Sequence, residues 1–146
     1  MKIKRHHFNS LDSTQDYAKK HLSDFPKDHI TVISADEQTH GRGRFNNHWL
    51  SPKSCNLYIT FSIPLPHLPF PKEPLNLVLA LSIAEALQKL GLSAQIKWPN
   101  DVMVEGKKIA GILAESTPTD EGYVLFMGYG LNVNMKSEPI KSLSQE

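Results

Sequence analysis

The chain has 146 residues, 40% of them hydrophobic and 21% charged, the size and balance of one ordinary globular domain. Sixteen Lys and Arg against fifteen Asp and Glu give a formal charge of +1, which argues against a general polyanion binder and makes any anion site local. The single cysteine, Cys55, excludes an intrachain disulfide and a cysteine-cluster metal site.

The opening MKIKRHHFNSLDST has no apolar stretch of signal-peptide length, and no run approaches the ~18 apolar residues of a membrane helix. A reducing, cytoplasmic setting is therefore expected. Ile3–Phe8 reads as a short strand. Asp12, Ser13 and Thr14 are N-cap candidates for a helix through about Leu22, and Pro26 closes that region. Residues 29–38, HITVISADEQ, hold a β-branched buried strand, and the Gly/Arg/Asn segment after it reads as a loop. In residues 55–63 the alternation of Leu57, Ile59, Phe61 and Ile63 predicts a half-buried strand with that row inward. Five prolines between Pro64 and Pro74 mark a stiff connector, within which Pro66-His67-Leu68-Pro69 formally fits a PxxP peptide ligand. Leu75–Leu90 has helical spacing, with Gly91 just past its end. Short strands are expected at 94–98, 102–104, 109–115 and 122–134, with a hairpin turn at Glu105-Gly106. Strands that follow one another without helices predict an α+β fold with a mixed, mainly antiparallel sheet flanked by helices. No repeat and no second-domain boundary is visible, so residues 1–146 read as one domain.

Three segments carry chemistry. Gly41–Trp49, within HGRGRFNNHW, is poor core material; it lacks a P-loop lysine, and Asn46 breaks the dinucleotide fingerprint that Gly41-Arg42-Gly43 begins. Its glycines permit close backbone approach, and Arg42 and Arg44 offer planar forks for carboxylate or phosphate oxygens. A solvated surface loop has the same composition. In KWPNDVMVEGKKIAGILAES, residues 97–116, Trp98-Pro99-Asn100-Asp101 places a turn between strands. Lys107 and Lys108 enter the next strand, where a lysine suits a phosphate, and Gly111 marks a close approach inside an apolar strand. Solvated lysines and a core Trp98 are the plainer readings. In GYGLNVNM, residues 128–135, Gly128, Gly130, Asn132 and Asn134 share one strand face, and an Asn amide can read a nucleobase edge or simply be satisfied in the interior. The seven histidines show no zinc-ligand spacing, and no metal-ligating residues are assigned.

Together the blocks LDSTQDYA, ADEQTHGRGRFNNHWLSP, NLYITFSI, KWPNDVMVEGKKIAGILAES and GYGLNVN, across about residues 11–134, resemble the catalytic domain of biotin protein ligases, the bacterial biotin–carboxylase-carrier ligases and eukaryotic holocarboxylase synthetases. The resemblance implies a fold related to class II aminoacyl-tRNA synthetases and lipoate ligases. It also implies a ligase that converts biotin and Mg2+-ATP to biotinyl-5′-AMP and pyrophosphate. A lysine of a biotin carboxyl carrier protein domain then takes the biotinyl group. By the same resemblance, Ser13, Thr14 and Gln38 hydrogen-bond the biotin ureido head, and Gly41–Trp49 closes over biotin and its adenylate. Gly41 and Gly43 give close approach, Arg42 and Arg44 neutralise carboxylate and phosphate, and Gly111 lines the biotin channel. Lys108 matches the catalytic lysine, Asp101 an acidic residue engaging the incoming lysine, Asn132 a residue reading adenine, and Trp49 a residue packing against it.

Three departures bear on these implications. Many bacterial members continue the loop as G-R-G-R-x-G-R-x-W, whereas Phe45-Asn46-Asn47-His48 stands here and one positive charge is lost at Asn47. No helix-turn-helix precedes the domain, so DNA binding is not expected. The chain stops soon after GLNVNM, where the family continues with more catalytic domain and a small β-barrel; adenylation is therefore expected to survive better than transfer. Two competing functions are a lipoate ligase or transferase and a non-catalytic truncated module that binds biotin or a carrier. Exposed sheet edges could pair two copies into a homodimer, although no residue establishes one.

Overall fold

The computed structural model describes residues 2–66 and 73–135. Seven strands form one sheet in the order β1-β2-β3-β7-β6-β5-β4. They are β1 (Lys2–Phe8), β2 (His29–Ala35), β3 (Asn56–Leu65), β4 (Ala94–Lys97), β5 (Asp101–Val104), β6 (Lys107–Thr119) and β7 (Gly122–Asn132), with helices α1 (Thr14–Lys20) and α2 (Glu73–Lys89). Only β1 and β2 run parallel, joined through α1; every other pairing is antiparallel. This is the α+β class with the mixed, mainly antiparallel sheet that the order of elements predicts.

Local chemistry sets the element ends. Ser13 is the cap of α1: its backbone is extended and its hydroxyl accepts the Asp16 N–H at 3.3 Å. The helix stops at Lys20, short of the expected Leu22, and a 3-10 turn at Leu22–Asp24 leads to Pro26. Glu105 and Gly106 both adopt left-handed backbone (φ 50° and 74°), the pairing that matches the twist of a two-residue hairpin. Strands β3 and β6 run past their expected ends through Pro64 and Pro118, which pair with Val124 and Tyr123 of β7. Among the described residues each proline lies where its strand has no second paired neighbour, so on that outer side there is no ladder for its missing N–H to break. Of the PxxP motif, His67, Leu68 and Pro69 lie outside the described residues.

The alternation along β7 divides the molecule into layers. Leu125, Met127, Tyr129 and Leu131 face α2: Leu75 packs with Leu125 and Met127, and Ala80, Ile83, Ala84 and Leu87 pack with Val102, Ala110 and Ile112. Val124 and Phe126 face the other way, onto Ala18 of α1 and onto Phe25 and Ile33. Strand β3 reverses the sequence expectation. Its polar row is the sealed one, with Asn56, Tyr58, Thr60 and Ser62 8%, 1%, 0% and 2% exposed, while Leu57 in the apolar row is 44% exposed. The cause is coverage: α2 packs chiefly on β4, β5 and β6, whereas α1 packs directly on β3. Buried polar groups require partners, and Tyr58, Asn56 and Thr60 have them. The Tyr58 hydroxyl donates to Pro52 O at 2.9 Å, Asn56 Oδ1 accepts the Val133 N–H at 2.9 Å, and Thr60 meets Thr14 at 3.0 Å. Burial pushes the Tyr58 phenol up to about 12, so it stays a neutral donor.

Candidate active site

One row across the sheet prepares the site: Tyr58, Gly130, Gly111 and Asp101 are successive cross-strand partners on the face away from α2. Two adjacent glycines leave a trough, and Trp49 lies in it. A Cβ on Gly130 would stand 2.1 Å from Trp49 Nε1, and one on Gly111 2.8 Å from its Cζ3. Gly128, one row over, leaves the room that Gln15 takes, with Oε1 2.5 Å from where a Cβ would be. A cavity of about 240 Å3 opens at these glycines, lined also by Ser13, Thr14 and Gln38, by residues 42–45 and 47–49, and by Lys108.

Lys108 reaches this cavity because of a bulge. The β5–β6 register pairs Val102 with Ala110 but Met103 with Lys108, so Ile109 is the extra residue. Without it Lys108 would share the α2 face with Ala110; with it the side chain turns onto the face of Gly111, whose Cβ would lie 3.1 Å from Lys108 Cε. Lys108 Nζ stands 2.7 Å from Asp101 Oδ1 and 5.2 Å from the Trp49 ring centroid. The Lys108–Asp101 contact is a close ion pair whose angles are not those of a hydrogen bond; among the described residues Trp49 Nε1 is buried with no hydrogen-bond partner, and Asp101 Oδ1 is buried with that ion pair alone. Unmet groups of this kind in a cavity wall suit a ligand that supplies the partner.

The loop is held at several points. Trp49 N donates to Gly41 O at 2.8 Å and Gly43 N to Asn47 O at 2.7 Å, with a 3-10 turn at Arg44–Asn46 between them. A hydrogen-bond chain ties its base to the start of α1: Thr14 N and Oγ1 donate to Gln38 Oε1, Gln38 Nε2 to Ser51 Oγ, and Ser51 Oγ to Trp49 O. Arg44 Nη1 donates to Asn100 Oδ1 at 3.2 Å, while Asn100 itself is fixed by Nδ2 donating to Ile112 O. Arg42 pairs with Asp16 and, at 3.6 Å, with Glu115.

The cavity thus gathers Ser13, Thr14, Gln38, Arg42, Gly43, Arg44, Trp49, Asp101, Lys108 and Gly111. Two anticipated residues stand apart from its lining. Gly41 packs its bare Cα against Trp49 O and Ser51 Oγ; a Cβ there would stand only 2.3 and 2.6 Å from these atoms, so its smallness serves loop packing. Asn132 lies beyond Gly130 on the same strand face, with Oδ1 accepting from Asn56 Nδ2 at 3.3 Å. Trp98, expected in the core, lies in the turn between β4 and β5 and is 75% exposed. Sequence reasoning missed Gln15, Thr60, Asn100 and Glu115. Asn100 was visible inside the WPND turn, but Gln15 and Thr60 are buried polar residues and Glu115 a half-buried one, for which no local signal exists.

The chain matches the Biotin/lipoate A/B protein ligase family over residues 7–132. It is 34% identical over 128 residues to the bifunctional ligase/repressor BirA of Escherichia coli, covering 86% of this chain and 39% of that protein. Among solved structures, the biotin protein ligase of Aquifex aeolicus in complex with biotin and ATP superposes with a TM-score of 0.75 at 34% identity, covering 91% of this chain and 53% of that one. A bipartite lipoate protein ligase from Thermoplasma acidophilum, at 11% identity and a TM-score of 0.66 over 93% of this chain and 63% of that one, shares the fold alone. The chain therefore spans about two fifths to one half of the biotin ligase relatives, and it belongs to the biotin/lipoate A/B protein ligase family.

Proposed function

We propose that this chain activates biotin with ATP, forming biotinyl-5′-adenylate and pyrophosphate, and presents the adenylate to a lysine of a biotin carrier domain. The observation that carries the reading is the bulge that swings Lys108 into a glycine-based cavity beside Arg44 and Asp101. In the first step a biotin carboxylate oxygen attacks the α-phosphorus and pyrophosphate leaves. In the second the carrier amine attacks the acyl carbon and AMP leaves. Neither step needs a protein nucleophile; both need two anions held together and the charge on the α-phosphate stabilised.

The side chains fit these tasks. Arg44 has no carboxylate within ion-pair distance among the described residues, so its charge is available to a substrate anion. Lys108 exchanges Asp101 for carboxylate and phosphate oxygens, and Asp101 is then free to engage the incoming carrier lysine and the proton it loses as its amine attacks. Thr14, Gln38 and Ser13 offer polar groups to the ureido head. Asn132 enters the reading where the nucleotide reaches past Gly130, with Nδ2 the group left to donate. Among the described residues no three His, Cys, Asp or Glu converge to hold a metal; magnesium belongs to this reading as part of the Mg-ATP substrate. No helix among the described residues is long and apolar enough to cross a membrane, and the reading includes a cytoplasmic setting. A second copy would find β1 and β4 as the sheet's edges.

The 34% identity to a biotin ligase, set against 11% to a lipoate ligase, favours biotin over lipoate. Pyrophosphate release with ATP and either acid tests the proposal. Release with biotin and not with lipoate is expected; release with lipoate alone would reverse the substrate, and none with either would leave a binding module.

A further inference from the structure

Arg42 and Arg44 stand two residues apart on one loop and meet opposite surroundings. Arg44 contacts an amide and the Phe45 ring, 4.8 Å from its guanidinium carbon. Arg42 meets two carboxylates, Asp16 on α1 through Nη1 and Glu115 on β6 at 3.6 Å from Nη2. Glu115 is itself anchored: Oε1 accepts from Lys19 Nζ and Oε2 from Gln15 Nε2, each at 3.0 Å. Gln15 is 4% exposed and wedged over Gly128, with Thr60 Oγ1 3.2 Å from its Oε1. A rigid path therefore runs from the sheet through Gln15 and Glu115 to the loop.

We propose that Arg42 is the latch that closes Gly41–Trp49 over the cavity, and that Glu115, with Asp16, is a positioning residue forming its seat. A guanidinium already facing two carboxylates has little net field left for a substrate anion, so the anion falls to Arg44 and Lys108. Closure excludes water and slows escape of a reactive acyl-adenylate. The inference rests on the proposed function for the ligand only; the closed loop exists without it.

The test is a double-mutant cycle with two readouts. Hydrogen exchange over Gly41–Trp49 is followed without ligand in the wild type, Glu115→Gln, Arg42→Ala, the double variant and Asp16→Asn, while dissociation of biotinyl-5′-adenylate is timed in parallel. Each single change is expected to speed loop exchange and adenylate release by about two- to fivefold, the scale of a half-exposed ion pair, with exchange across β3 unchanged. The double variant should match Arg42→Ala, because both residues act through one contact. Wild-type loop exchange in both Glu115→Gln and Asp16→Asn overturns the latch. So does a multiplicative double variant in which Arg42→Ala weakens adenylate binding far more than Glu115→Gln, since that pattern makes Arg42 a ligand contact. A wild type that binds no adenylate defeats the functional reading alone, and loop exchange still decides the latch.

Discussion

Replacing Gly130 by alanine tests the structural basis of the site without touching a charge. The new methyl would sit 2.1 Å from Trp49 Nε1, 2.4 Å from Cε2 and 2.9 Å from Cδ1. Ordinary contact is about 3.5–4.0 Å, so the indole must retreat by more than about 1 Å. Strand β7 cannot yield instead, because Gly130 is paired on both sides, with Tyr58 and Gly111. Overpacking of this kind costs roughly 1–3 kcal/mol, and a Trp49 lifted from the trough also loses its contact with Lys108. With a urea slope of about 1–3 kcal/mol/M for a small protein, the midpoint should fall by roughly 1 M. Two tryptophans, one of them 75% exposed, make fluorescence informative: in a Trp98→Phe background the remaining emission reports Trp49 alone. Gly130→Ala should shift that emission to the red and lower the midpoint. An unchanged midpoint together with unchanged Trp49 emission would refute the claim that the two glycines exist to seat the indole.

Lys108→Ala should lower adenylate synthesis by about 10²-fold or more with biotin binding retained, as for removal of a preorganised charge that acts in the transition state; single-turnover pyrophosphate release reads the first and calorimetric titration the second. Ser13→Ala removes the α1 cap and should cost about 1 kcal/mol, read as a lower denaturation midpoint. For Glu115, burial alone would raise the carboxyl, but hydrogen bonds from Gln15 and Lys19 and the charges of Lys19 and Arg42 hold it below its ordinary 4.5. Its contribution is therefore complete above about pH 4.5 and lost as pH falls through the lowered value. Denaturation midpoints compared from about pH 6 down to about pH 3 should show wild type and Glu115→Gln converging in acid; a constant gap across that range would contradict the assigned pairing.

Much of this protein was legible in one dimension because its signals are local. A hydroxyl before a helix, Glu105-Gly106 between β-branched runs, and the apolar spacing of α2 each fix backbone geometry within a few residues. The resemblance carried by HGRGRFNNHW and KWPNDVMVEGKKIAGILAES likewise identified the loop and the lysine strand that the cavity unites. What the sequence left open depends on which layer covers which face. The alternation in β3 predicts an inward apolar row, yet α1 buries the row of Asn56, Tyr58, Thr60 and Ser62, because coverage is decided by helices distant in the chain. The same holds for the extra residue at Ile109: a bulge exists only relative to a partner strand, and it alone decides that Lys108 faces the cavity. Arg42 and Arg44 are equivalent in the sequence. Only folding brings Asp16 and Glu115, from α1 and β6, to one of them and leaves the other its charge.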